Sequence, residues 1–531
     1  MRLKSQGLGK SLISQILFSG FDESPRRRGG LDRQVILILV NRNPLSKSQY
    51  TKGLTCLKKL WLYRERRELA TPPSEVQDAI FTQGHEVGKL AHKLFPNGVL
   101  IEEDHTDPAG ALASTKSAMS SGAEAIFEAA FQFEDILVRT DILSKNSDGT
   151  WELVEVKSST KVKNEHLPDV AIQKFVLIKF GLPLGRSCLL HLNSEYVRNG
   201  DIFPPKLFTL AHVDEKIGDE YSQIERHLAV IRATVKVPNE PEVRLSSACK
   251  NPHPCEFKEY CWKQTAPESI HFLGRIGDKK RGQLLDQNIE LIEHIPKDFE
   301  LTEAQKIEHL CHLKRSAHVD KAKIEEHLSQ LTWPLYFLDF EAVGYAIPEY
   351  EGTRPYEALA FQYSLHIQRE PGGALEHREF LHKEDSDPRT AVANQLVRDI
   401  GPTGSVVAYH ASYEKGRIEE MIERCPEIAS ELQGLIKRIW DLETPFTKRW
   451  YWDHRFQGSS SIKKVLPVLV PAMSYENLGI QRGDEAQLQY QRFLKLPADS
   501  SDRETIRKNL LSYCEQDSLA MARLLDALQK I

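Results

Sequence analysis

The sequence predicts an α/β protein made of two mixed halves, and three observations carry that expectation. Runs rich in β-branched and aromatic residues alternate with helix-forming stretches on both sides of a charged connector. The chain has 531 residues, more than one domain ordinarily holds. Its composition, 40% hydrophobic and 27% charged, is that of a globular protein with material for more than one core. The apolar run Val35–Val40 is far shorter than the roughly 20 residues that span a bilayer, and Met1–Gly30 has no signal-peptide layout. The expectation is therefore a cytoplasmic protein with no membrane partner.

Charge is unevenly spread. The net charge is −5, yet residues 1–70 hold fifteen Lys/Arg against five Asp/Glu. A basic end on an acidic protein suits either a polyanionic partner or a solvated tail. Residues 1–45 read as a basic, disordered extension, rich in Gly, Ser and Arg and without a sustained period. From Ser46 the pattern becomes dense. A helix is expected over Cys56–Arg67, and another over Asp78–Phe95, closed by Pro96-Asn97-Gly98. Strands follow at Ala125–Phe133, Ile136–Leu143 and Trp151–Val156, the last two joined by the turn Asn146-Ser147-Asp148-Gly149. Val170–Phe180 is helical, and the loop Cys249–Cys261 closes a first domain, 46–265. A helical linker spans 266–331, with a hairpin-like pair around Gln287-Asn288 and one long helix over Thr302–Leu331. The second domain, 332–531, opens with the strand Tyr336–Phe340. It adds Leu359–Gln368 and Ser405–Ala408, and ends in a helix from Asp502 to Lys530.

Three constellations carry chemistry. In the first, thirteen residues separate Asp141 from Glu155, and alternation puts Glu155 and Lys157 on one strand face. Two carboxylates beside a lysine can hold a divalent cation through hard oxygen ligands while the lysine orients or activates a water. Glu128 is a further carboxylate inside an apolar strand, and Gln173 follows on the next helix. Asp141, Glu155-Val156-Lys157 and Gln173 resemble the core motifs of the RecB-type PD-(D/E)XK nucleases. That resemblance implies Mg²⁺ or Mn²⁺ and a histidine metal ligand on an upstream helix, a place open to either His85 or His92.

In the second constellation, Cys249, Cys255 and Cys261 lie in one Pro-containing loop with five residues in each interval. Such spacing suits zinc or an iron–sulfur cluster. Cys56, 193 positions before Cys249, is the fourth thiol, with His253 as the alternative ligand. One cysteine before the core and three after it is similar to the iron–sulfur RecB-family exonucleases, including the CRISPR-associated ones. The resemblance implies a 4Fe-4S cluster clamping the ends of the first domain. The five-residue first interval departs from the commoner two and keeps Zn²⁺ open.

In the third, Asp339 and Glu341 stand at i and i+2 of an apolar strand, Glu414 enters a helix after Val406–Ala408, and Tyr513 and Asp517 share one helical face. Four converging acids are what two divalent ions need for in-line phosphodiester hydrolysis. The order resembles the tyrosine subtype of the RNase H-like DEDD 3′–5′ exonucleases, with Glu414 where that family has Asp. Asp441 is an auxiliary acid, and Ser459–Pro467 a basic turn suited to a nucleic-acid backbone.

Together these resemblances imply an α/β protein with an N-terminal restriction-endonuclease-like (PD-(D/E)XK) domain, a helical linker and a C-terminal RNase H-like domain. The pairing is similar to a bacterial family known only as RecB-family nuclease-like. The implied activity is a metal-dependent (exo)deoxyribonuclease acting on DNA ends or single strands, bound through the backbone and sensitive to salt. The alternative is a nucleic-acid-binding protein in which only the RecB-like site is active and the DEDD-like half grips a strand.

Overall fold

The computed structural model of the chain describes residues 44–531. The basic extension expected at 1–45 falls outside the described residues except for its last two positions. Seven strands build the first sheet: β1 (Leu45–Ser46), β2 (Val99–Leu100), β3 (Ala125–Phe133), β4 (Ile136–Lys145), β5 (Trp151–Lys157), β6 (Leu184–Leu192) and β7 (Phe208–His212). Their order is β2-β3-β4-β5-β6-β7, with β1 pairing in parallel with β4.

Turn chemistry sets the register here. β4 returns to β5 through Asn146–Gly149, where Gly149 takes φ 88° and the Gly149 N–H donates to Asn146 O at 3.0 Å. Only glycine adopts that conformation without cost. Helices cover both faces of the sheet. Leu167–Phe180 packs Val170 and Val176 into a cluster with Leu143 and Leu153. Glu75–His92 packs Val87 and Ala91 with Phe127, Ile142 and Val154. Leu153 and Val154 thus face opposite sides of β5, and by alternation Glu155 shares the side of Leu153.

The connector departs from expectation. Thr302–Leu331 is not one helix but two, Glu303–Lys314 and Lys321–Leu328. Arg315 at φ 49° ends the first, Asp320 caps the second by accepting from Lys323 N–H at 3.3 Å, and between them runs β8 (His318–Val319). Residues 266–301 are not a bare linker either. Ile270, Leu273, Leu284, Ile292 and Ile295 close a small core of their own.

The second sheet has five strands: β9 (Leu335–Val343), β10 (Leu359–Gln368), β11 (Leu375–Leu381), β12 (Ser405–Ala408) and β13 (Ile439–Asp441), in the order β11-β10-β9-β12-β13. β14 (Tyr451–Trp452) pairs with β8. β10 is antiparallel to both of its neighbours, whereas β12 is parallel to β9 and β13, so the sheet is mixed. Phe337 and Phe361 join the cluster of the terminal helix Ser501–Leu528 on one face. Leu338, Phe340 and Leu365 join Val392, Ile418 and Leu432 on the other. Asp339 and Glu341 alternate with Leu338 and Phe340, so they face the terminal helix. Leu45–Ile531 forms one compact unit. The lobes of its two larger sheets are bridged by Arg198 donating to Pro348 O at 3.0 Å, by the Tyr356 hydroxyl donating to Ser158 O, and by an Arg492–Glu75 ion pair. No described helix is long and apolar enough to cross a membrane.

Candidate functional site

The first carboxylate set is built on neighbouring strands. β4 and β5 pair up to Ile142/Val154, and one step further Asp141 Oδ2 accepts the Val156 N–H at 2.7 Å. Glu155 is only 1% exposed, and its oxygens are fully engaged. Lys157 Nζ lies 2.8 Å from Oε1, Gln173 Nε2 donates to Oε2 at 2.6 Å, and Lys47 Nζ reaches both oxygens at 2.9 and 3.2 Å. Lys157 also pairs with Asp169 at 2.7 Å. Burial pushes the Glu155 carboxyl up, but Lys47, Lys157 and the Gln173 hydrogen bond outweigh it and hold it well below the ordinary range. Burial and then the facing Glu155 push Asp141 up to about 7 against the pull of the two lysines. Gln173 is buried with its Oε1 unpartnered, and it serves Glu155 as a positioning donor.

Among the described residues, neither expected histidine forms a ligand group within 4.8 Å with Asp141 and Glu155. His85 is exposed. His92 stacks on Phe127 with centroids 3.9 Å apart, and burial alone lowers it. Glu128 is not buried in an apolar strand. It takes φ 57°, its side chain is 42% exposed, and it faces Arg139 at 3.5 Å. Lys47 and Asp169 belong to the set although no spacing in the sequence singled them out. Lys47 comes from a helix more than a hundred residues away in sequence.

The second set is tighter. Ligand atoms of Asp339, Glu341 and Asp517 lie within 4.8 Å of one another. Glu414, on the helix Ser412–Arg424, is 3% exposed, and its buried Oε2 has no hydrogen-bond partner. Burial first, then mutual repulsion, pushes Asp339 and Glu341 far up, with Asp517 and Glu414 among the repelling charges. Burial raises Glu414 to about 8, with Asp441 and Asp517 adding to it, and raises Asp517 to about 6. Tyr475, absent from the expected set, donates to Asp517 Oδ1 at 2.6 Å. Lys463, on the expected basic turn, lies 3.3 Å from the Tyr513 hydroxyl and over the Tyr475 and Tyr513 rings. Asp441 acts locally, its Oδ1 accepting the His410 and Glu443 N–H groups. Carboxylates gathered largely away from water need positive charge, and Lys463 stands beside Glu341 and Asp517. The donor set, all hard oxygens with one orphaned atom, fits divalent Mg²⁺ or Mn²⁺.

The cysteines come together across the chain. The Cys261 thiol is raised to about 11 by burial and faces Cys255, Cys249 and Cys56. Cys56 is held beside the loop because Lys52 and Lys59 both pair with Glu256, at 2.7 and 3.0 Å. His253 is exposed. The four thiols do not form a group within 4.8 Å among the described residues. Tetrahedral zinc, with Zn–S near 2.3 Å, holds its sulfurs about 3.8 Å apart. As placed, the set is wider than one zinc requires.

A family model described as a domain of unknown function, DUF2779, matches residues 336–461. It takes in Asp339, Glu341 and Glu414 and ends before Tyr513 and Asp517. The chain is 26% identical over 216 residues to the uncharacterized protein MG366 of Mycoplasma genitalium, covering 37% of this chain and 32% of that protein. It is 29% identical over 205 residues to the MG366 homolog of Mycoplasma pneumoniae, covering 35% and 30%. The chain thus spans about a third of the length of these curated relatives. Among solved structures, the crystal structure of SSO0001 matches 44% of this chain and 93% of that one at 15% identity, with a TM-score of 0.23.

Proposed function

We propose that the chain is a metal-dependent nuclease that hydrolyses DNA phosphodiester bonds, with its principal site at Asp339, Glu341, Glu414 and Asp517. The observation that carries this reading is the convergence of half-buried Asp339 with buried Glu341 and Asp517, and with buried Glu414 and its orphaned oxygen nearby, beside a tyrosine and a lysine. On this reading the second sheet is RNase H-like and the first is restriction-endonuclease-like. Bound Mg²⁺ or Mn²⁺ would polarise the phosphodiester and raise the acidity of the attacking water. The acids would hold the cations, while Tyr513 orients the water and Lys463 keeps Tyr513 in place and meets the anionic backbone. The partner is nucleic acid, as DNA ends or single strands.

Asp141, Glu155 and Lys157 form a second, smaller site. Asp141 and Glu155 would hold a cation there, which requires Lys47 to leave the Glu155 oxygens it now occupies. The four cysteines, neighbours at a spacing wider than one zinc takes, suit a 4Fe-4S cluster better than Zn²⁺.

The test is digestion of end-labelled single- and double-stranded DNA by the purified chain with Mg²⁺ or Mn²⁺. We expect Asp339→Asn with Asp517→Asn to lose at least about a hundredfold in end trimming. Lys157→Ala should remove only the activity of the first site. Undiminished cleavage by a Lys157→Ala, Asp339→Ala double variant would refute both sites.

A further inference from the structure

A separate cluster lies one strand away from the four acids. His366 on β10 and His377 on β11 are cross-strand partners, and their rings stack with centroids 4.6 Å apart. Glu515, on the terminal helix, approaches from the same side, its Oε1 3.8 Å from His377 Nδ1. One ligand atom from each of the three residues lies within 4.8 Å of the other two.

One self-consistent hydrogen-bond network leaves a lone pair free on each ring. In it the Ser518 hydroxyl donates to Glu515 O at 3.1 Å. Ser364, 2.7 Å from Ser518, donates to it, as does His366 Nδ1, 2.8 Å from the same oxygen. His377 Nε2, 2.9 Å from Ser364, then donates to Ser364. In this network the lone pairs left over are on His366 Nε2 and His377 Nδ1, each with its opposite nitrogen anchored, as metal-ligating imidazoles are. His366 is 5% exposed and is held down to about 4, by burial first and then by His377 and Arg523, so it is a neutral ligand at neutral pH.

We infer that His366, His377 and Glu515 form a binding site for one borderline first-row divalent ion, of the zinc or cobalt class, separate from the oxygen-lined acid site. Two imidazoles and a carboxylate select such an ion over Mg²⁺, which takes oxygen ligands. The ion staples the β10–β11 hairpin to the terminal helix two residues before Asp517. Its primary effect is to hold that helix in register.

The test uses the full chain stripped of loosely held metal, titrated with Co²⁺ under a large excess of Mg²⁺, with bound cobalt counted by equilibrium dialysis. The wild type should retain one more Mg²⁺-resistant Co²⁺ than His377→Ala and than Glu515→Gln. Asp339→Asn and Cys188→Ser should keep it. His377 is exposed, so its loss leaves the fold intact, which circular dichroism checks. Zn²⁺ should raise the melting temperature of the wild type and not that of His377→Ala. Equal cobalt content in wild type, His377→Ala and Glu515→Gln overturns the site, whether or not the nuclease reading stands. A loss of the same ion in Asp339→Asn overturns its separateness.

Discussion

Lys47 shows how one residue can reset a site. Its ammonium lies on both oxygens of a carboxylate that Lys157 and Gln173 already serve, in a pocket where Glu155 is almost sealed from water. Removing one partner of such a set leaves part of a buried charge uncompensated. Lys47→Ala should therefore cost about 1–3 kcal/mol in urea unfolding at pH 7. Glu155 is depressed in the folded protein, so its contribution is complete above the ordinary carboxyl pKa and disappears as pH falls through the folded value. The deficit of Lys47→Ala should accordingly shrink in acid, and a deficit independent of pH would contradict the ion-pair account. The acid cluster has the opposite sign. Glu414, pushed up to about 8, and Asp517, pushed up to about 6, keep protons in the folded chain that the unfolded chain has released. Stability therefore falls as pH rises toward those values. His271, His312 and His366, each held down to about 4 chiefly by burial, oppose this only below their unfolded pKa of roughly 6.5, so the clean window lies above it. Protein in EDTA should lose at least about 1–2 kcal/mol between about pH 6.5 and 8.5, with the raised Asp339 and Glu341 adding to the loss, and Glu414→Gln should reduce that slope without abolishing it. Parallel slopes for the two proteins would contradict the assignment of Glu414.

Among the elements, β9 and β12 set the position of Asp339. They pair in parallel from Leu335/Ser405, and the entry to β12 passes Gly404 at φ +91°. A Cβ there would stand 2.1 Å from Pro334 O, a backbone atom that cannot step aside without moving β9. Gly404→Ala combines that clash with a positive φ, and we expect a loss of roughly 2–4 kcal/mol with weaker divalent-ion binding at the acid cluster. A variant as stable as the wild type would show that the two strands adjust independently. The elements also separate what local pattern carries from what it conceals. Ala125–Phe133, Leu359–Gln368 and Ser405–Ala408 were legible because each is a dense apolar or β-branched run. β11, Leu-Glu-His-Arg-Glu-Phe-Leu, was not, because an edge strand shows its charged side chains to water and lacks a core signature. The break at Arg315 was hidden for a related reason: polar residues at helical spacing fit one long solvated helix or two short ones equally well.

Over the whole molecule, the proposed cluster on the four cysteines would tie the first helices to a loop about two hundred residues later. Such a cross-link restricts the unfolded chain, and cluster binding adds directly to folding free energy. Cys56→Ser and Cys255→Ser should each lose iron, brown colour and solubility together, while Cys188→Ser, buried and bonded to His212, keeps all three. Full iron content in Cys56→Ser would move the fourth ligand elsewhere, with His253 next to test. The two lobes act as one body because polar contacts, including Tyr356 to Ser158 and Arg198 to Pro348, cross between the sheets. Ser158 follows Lys157 directly, so the lobe boundary runs beside the first carboxylate set.

The sequence alone determined the mixed α/β class, most strands that carry the acids, and the residue types of both carboxylate sets. Alternation and turn chemistry act over a few positions, and they suffice to put Glu155 beside Lys157 and Asp339 beside Glu341. The tertiary structure alone decided which distant groups complete each set. Lys47 reaches Glu155 across 108 positions, and Tyr475 bonds Asp517 from a separate loop. His366, His377 and Glu515 meet because a hairpin register and a helix coincide in space. It also decided what His92 packs on: a histidine at helical spacing carries no record of the surface it will meet, and here that surface is the ring of Phe127.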